Sequence, residues 1–256
     1  MKQHKTFESW LREMRQIIAS PNPRKAMNSL RILSSGLHIF SYDKQVTSNQ
    51  LEDLLRTLTQ LRGSRCNGRL ECERDILHTL NCMCRRSVFI DNALDVDNQL
   101  LPDFETPSEA DLAEHLRMFE LLANHSHQLL DLKPLKLQDY NCLMAEACNL
   151  LEMLTWRPEL KNLLGKCLNL CLEHFSKADP PFAHRAVVFI DKFHYRFSKN
   201  HSIPESILKQ LEELSKRTKN ESTAFAINEL FVDLGRISEF AALDGIHEFR
   251  NETNDW

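Results

Sequence analysis

Glycine is scarce in this sequence, at 6 of 256 residues. The scarcity removes the usual means of building phosphate-cradling loops, strained catalytic turns and tight hairpins, all of which need backbone free of a Cβ. Long apolar runs are missing too. The longest stretch without Asp, Glu, Lys or Arg is the 11 residues from Ile32 to Tyr42, well short of the roughly 20 that a membrane-crossing helix requires. The N-terminal residues mix Glu8, Arg12, Glu13 and Arg15 among apolar positions, the pattern of an amphipathic helix and not of a signal peptide. These absences predict an intracellular chain, cytoplasmic or nuclear, with no membrane association. The sequons at Asn124, Asn220 and Asn251 then read as coincidental.

Sequence motifs for catalysis are missing as well. There is no G-x-S-x-G, no H-E-x-x-H and no G-x-G-x-x-G, and Gly165-Lys166-Cys167 lacks the upstream glycine and following hydroxyl of a phosphate loop. Asp95 and Asp97 have calcium-like spacing, but Leu100 stands where the turn glycine belongs and Thr106 where the closing glutamate belongs. No nucleophile, general base or cofactor site is nominated, and the expectation is a non-enzyme without cofactor.

The 8 cysteines do not form a metal pattern. Cys66, Cys72, Cys82 and Cys84, with His78 between them, offer C-x5-C and C-x-C where zinc sites use short turn-forming pairs. Cys142, Cys148, Cys167 and Cys171 lie on apolar helical faces, where a reduced thiol is a small hydrophobe. Cys167, Cys171 and His174 share one face, a spacing that equally describes core. His125 and His127 flank a serine near a helix end and read as a solvated loop.

What the sequence does contain is helical periodicity. Ten apolar stretches follow the i, i+3, i+4, i+7 rule. The first is Phe7, Trp10, Leu11, Met14, Ile17 and Ile18, closed by Pro21 and Pro23. The second is Met27, Leu30, Leu33, Leu37 and Phe40. The third, opened by Thr47 or Ser48 and ended by Gly63, is Leu51, Leu54, Leu55, Leu58 and Leu61. A fourth covers residues 69–90, with a break near Arg86. The pattern then lapses from Asp91 to Glu105. A fifth helix is expected with Thr106 as N-cap, Pro107 at the first position and Glu109 three residues after the cap.

The sixth and seventh stretches, around Leu150 and Leu164, are apolar enough to be central. The eighth, capped by Asp179 and carrying Val187, Val188, Phe189, Ile190 and Phe193, is apolar nearly all round; its β-branched content also admits a strand. The ninth holds Ile207, Leu208, Leu211 and Leu214. The tenth, capped by Ser222, holds Phe225, Ala226, Leu230, Leu234 and Ile237. Residues 244–256 read as a flexible polar tail.

Paired, these helices give units of about 45 to 50 residues. Through Leu30 to Leu37, the apolar run Leu77 to Cys84 and the paired helices around Leu150 and Leu164, the chain resembles a HEAT/armadillo-type array. The resemblance implies an all-α solenoid of stacked antiparallel helix pairs over residues 1–243, with a sub-boundary at 91–105. A compact globular helical bundle is the alternative.

Charge is unevenly distributed. Residues 1–90 carry 15 Lys and Arg against 8 Asp and Glu, residues 91–154 carry 3 against 13, and residues 155–256 carry 14 against 15. A basic first third and an acidic middle suit electrostatic partner selection. The favoured contact element is the acidic segment with Asp91, Asp95, Asp97, Leu100, Leu101, Asp103, Phe104 and Glu105, which would take a basic peptide or helical segment of another protein. The expected function is therefore a protein-interaction scaffold or adaptor. Arg62, Arg65, Arg69, Arg85 and Arg86 form an alternative basic surface suited to nucleic acid. A second basic and aromatic cluster runs from Lys192 to Lys199, readable as a stacking surface or as the cationic end of a core helix. An all-helical enzyme without a recognisable motif is the third reading.

Overall fold

The computed structural model describes residues 6–20, 29–30, 34, 46–97, 108–132, 140–175, 180–198, 203–219 and 221–234, with backbone alone at 85–97, 175 and 180. Those residues are helical and contain no strand. The chain divides into two compact units, Met1–Leu129 and Leu130–Trp256. Much of the second expected helix, the cap residues Thr106, Pro107 and Asp179, and the 244–256 tail lie outside the described residues.

In the first unit, α1 (Phe7–Ile18) starts at a capping box in which the Ser9 amide donates to the Thr6 hydroxyl at 3.1 Å and the Thr6 amide donates to the Ser9 hydroxyl. Its buried residues, Phe7, Trp10, Leu11 and Met14, are four of the six in the stripe read from the sequence, Ile17 and Ile18 being half-buried, and the helix packs on α2 (Ser48–Gly63). Thr47 caps α2 through a second box with Gln50. Gly63 is the last helical residue there, and the next, Ser64, is extended. The left-handed turn sits instead at Gly68, where φ of 76° requires a residue without a Cβ.

The third helix, α3 (Arg69–Asp97), packs on α2 and runs 29 residues without interruption. The break expected at Arg86 is absent, and Asp91, Asp95 and Asp97 are helical, not part of a loop. No glycine or proline lies between Gly68 and Pro102, so the acidic composition weakens helix propensity there without a residue able to stop it. The fourth helix, α4 (Glu109–Leu130), is opened by Ser108 and Asp111, not by Thr106: the Asp111 amide donates to the Ser108 hydroxyl and the Ser108 amide returns to the Asp111 carboxylate. Further along, Glu114 accepts from the Ser48 amide at 2.5 Å and from the Ser48 hydroxyl at 2.9 Å. That places a carboxylate from α4 at the positive N-terminus of α2.

The second unit is built on α5 (Asn141–Leu154), α6 (Lys161–Phe175), α7 (Pro180–Phe197), α8 (Glu205–Arg217) and α9 (Glu221–Asp233), with a 3-10 turn at Pro158–Leu160. The fold resolves the strand alternative at Val187–Phe193 in favour of helix. Packing follows a regular order: α5 on α7, α7 on α9, α6 on α7 and α8 on α9. The core is lined by Leu143, Leu150, Leu151 and Leu154 of α5, Leu164 and Cys167 of α6, and Phe182, Ala186, Phe189 and Ile190 of α7. Ser222 does not cap the last helix; it lies inside α9, and its carbonyl accepts from His184 Nδ1 at 2.9 Å. Phe225 faces outward, against the stripe expected for it.

Gly165 lies in the middle of α6, and a Cβ built on it would meet Phe193 Cζ at 3.6 Å, an ordinary contact. Gly165→Ala is therefore expected to stabilise the protein by about 0.5–1 kcal/mol, the helix-propensity difference, read as a higher urea midpoint. A lower midpoint would mean that the Phe193 ring cannot accommodate the methyl group.

Candidate functional site

Asp91, Asp95 and Asp97 lie on the last turns of α3, and Leu100, Leu101, Asp103, Phe104 and Glu105 fall outside the described residues. The arginine-rich surface is corrected in part. Arg62 is buried, and Arg69 donates to the Arg62 and Cys66 carbonyls. Arg65 is exposed, the side chains of Arg85 and Arg86 lie outside the described residues, and the neighbouring Arg56 and Arg74 are paired with Glu52, Asp53 and Asp75. Charges spent on local carboxylates and carbonyls are not available to a phosphate backbone.

Arg62 belongs instead to a buried cluster with Glu73 and His125, from α2, α3 and α4. Arg62 Nε donates to Glu73 Oε2 at 2.9 Å, Arg62 Nη2 donates to Glu73 Oε1, and His125 Nε2 lies 3.1 Å from the same Oε1. Burial pushes the Glu73 carboxyl up, but the hydrogen bonds and charge of Arg62 and His125 outweigh it and hold the group below its ordinary value. An ionised carboxylate only accepts, so His125 Nε2 carries a hydrogen and donates it. The 3.4 Å approach of Arg62 Nη2 to His125 Nε2 is then two donors sharing one acceptor. His125 is thus a core residue, not the solvated loop residue its sequence neighbours suggested. This cluster ties three helices together, and its members are committed to each other.

Cys66, Cys72 and Cys84 are buried, Cys82 is exposed with its Sγ 4.0 Å from His78 Nε2, and among the described residues no group of three His, Cys, Asp or Glu could hold a metal. In the second unit Cys148 Sγ lies 3.5 Å from Cys171 Sγ, and His174 donates to the carbonyl of Leu130 at 2.6 Å. Burial pushes the Cys72, Cys84 and Cys167 thiols up to about 12 and Cys171 well above its ordinary value. They are neutral, unreactive thiols at neutral pH.

The exposed large apolar side chains are the more informative feature: Trp156, Tyr195 and Phe225. Two of them share one surface. Trp156 follows α5 on a tight turn, where the Arg157 amide donates to the Leu154 carbonyl at 3.0 Å. The Arg196 guanidinium carbon lies 3.3 Å from the centre of its ring system and 5.3 Å from that of Tyr195. Lys192 lies 6.0 Å from the Tyr195 ring. Lys161 Nζ lies 5.8 Å from the Phe197 ring and donates to the Phe197 carbonyl at 3.1 Å, satisfying one of the last carbonyls of α7.

The Lys192–Lys199 stretch therefore splits by helical phase. Phe193 and His194 go into the core, while Tyr195 and Arg196 go out. Trp156 was missed in the sequence because nothing in one dimension links it to position 196; its place directly after an apolar helix was the available signal. Comparisons with family models, curated proteins and solved structures find no match. No helix among the described residues is long and apolar enough to cross a membrane.

Proposed function

We propose that this chain is a non-catalytic scaffold or adaptor that binds a segment of another protein through its helical faces. The observation that carries the reading is the Trp156, Arg196 and Tyr195 surface. These are the three residue types most enriched at energetic hot spots of protein interfaces, and here they lie side by side on solvent. A single exposed aromatic needs no explanation, whereas two aromatics joined by an arginine form a contiguous adhesive patch.

The finer architecture is also a proposal. The order in which α5, α7 and α9 pack one on the next, with α6 and α8 each on a neighbour, supports a stack of helix pairs in the HEAT/armadillo manner within the second unit. The acidic segment from Asp91 to Glu105 is proposed as a further contact element, taking basic segments by charge.

Cross-linking with mass spectrometry on the full chain tests the reading. Contacts captured by the wild-type chain should be lost in Trp156→Ala/Tyr195→Ala, with circular dichroism unchanged to show that the variant is folded. In Asp95→Lys/Asp97→Lys/Asp103→Lys the contacts made by the acidic segment should be lost. Partner contacts indifferent to both variants would overturn the assignment of these surfaces.

A further inference from the structure

The geometry points to Arg196 as a preorganised carboxylate receptor, so that the partner segment seated on Trp156 and Tyr195 is an acidic one carrying an aspartate or glutamate beside an apolar residue. This rests on the interaction reading of the same surface and adds the chemistry of what binds there.

At 3.3 Å the guanidinium carbon sits over the centre of the indole, a separation that a near-parallel stack tolerates and an edge-on approach does not. Stacked flat, the guanidinium keeps its N–H donors in a plane pointing away from the ring, free to form a fork with a carboxylate. The stack also removes most of the side chain's rotamer freedom before binding, so less is lost when a ligand arrives.

The charges around it favour an anion. Of the cations here, Lys192 is paired with Asp191, Lys161 is held by the Phe197 carbonyl and Arg157 is paired with Glu159. Among the described residues Arg196 has no carboxylate or carbonyl partner. The same arrangement argues against a nucleic-acid strand. A backbone of phosphates is bound by several cations in a row, and of the four described cations named here only Arg196 lacks a carboxylate or carbonyl partner.

The test is fluorescence polarisation on the full chain with a library of labelled 12-residue peptides, each fixed with two glutamates and one leucine or phenylalanine. Glutamine counterparts and a 20-nucleotide thymidine strand serve as the other probes. The best glutamate peptides should bind about tenfold or more tightly than their glutamine counterparts. Arg196→Gln should abolish the difference, and Arg196→Lys, which keeps the charge but loses the fork, should weaken binding by about tenfold. Unchanged circular dichroism and thermal midpoint would show that both variants are folded.

Equal binding of glutamate and glutamine peptides, no effect of Arg196→Gln, preference for the thymidine strand, or no binding by any peptide would overturn the assignment. The outcome is separable from that of the scaffold reading. Cross-linked contacts that survive Arg196→Gln but are lost in Trp156→Ala/Tyr195→Ala would leave the surface standing and remove the carboxylate chemistry.

Discussion

Replacing Glu73 with alanine is expected to destabilise the first unit by about 3–5 kcal/mol, the cost of leaving a buried charge without its partner. Glu73 is fully buried, and Arg62 and His125 are nearly so. Removing the carboxylate strands a guanidinium in a region of low dielectric without the acceptor that both its Nε and Nη2 use. The triple variant Arg62→Met/Glu73→Leu/His125→Phe removes the charges together and should recover most of the loss, since a well-packed apolar substitute for a buried ion cluster is often neutral or stabilising. Urea unfolding followed by circular dichroism measures both. A Glu73→Ala cost below about 1 kcal/mol would show that the cluster is hydrated or loosely formed.

The same carboxylate gives a pH signature. Its value in the folded chain is lowered from the ordinary 4.5, so the folded state holds on to ionised Glu73 more strongly than the unfolded chain does. Its stabilisation is complete above the unfolded value and is lost as pH falls through the folded one. Stability should therefore drop below about pH 4.5, and the drop should be smaller in the triple variant. Asp111, Glu114 and Glu8 are lowered too, by hydrogen bonds to Ser108, to Ser48, and to the Glu8 backbone with Gln50 respectively. They lie near the surface and are screened, so their share is small.

The second large effect is expected at Phe189. This side chain is fully buried on α7, the helix against which α5, α6 and α9 all pack. Its ring meets Phe193 edge-on with centroids 6.3 Å apart, and Phe193 meets Phe197 at 5.1 Å. Phe189→Ala should cost about 3–5 kcal/mol through lost transfer energy and the cavity left behind, part of it from the edge-to-face contact. Phe189→Leu, which keeps most of the volume, should cost less than half as much. A Phe189→Ala cost near 1 kcal/mol in the urea transition would mean that the neighbouring helices close over the gap.

How much of this was legible in the sequence depends on the range of the interaction. The stripes on α1, α2 and α8 were readable because a 3.6-residue period marks which side chains face inward wherever one face is buried. The start of α2 was legible to within one residue, as Thr47 or Ser48, because a cap is written locally, and the structure gives the role to Thr47. The nearby Ser108 with Asp111 was passed over for Thr106 and Pro107, because two overlapping cap patterns compete and the sequence does not rank them. Asp91 to Asp97 was read as a lapse because the apolar period stops there, yet loss of the period does not end a helix that holds no glycine or proline.

The site was less legible than the fold. Arg62 looked like surface and His125 like loop because each is polar, and polarity predicts exposure unless a partner is present. That partner, Glu73, is 11 residues from Arg62 and 52 from His125. Trp156 and Arg196 are likewise far apart in the chain. Helix spacing places Tyr195 and Arg196 on the outside of α7 but cannot say what lies beside them.

The sequence by itself determined that the described chain is helical, with apolar faces at α-helical period and too little glycine for glycine-built loops, because those properties depend on residues three or four apart. Tertiary structure alone decided which charges became core and which aromatics stayed on the surface. Burial of a charge depends on a partner brought from another helix, and an adhesive surface depends on side chains that meet only when α5 and α7 pack.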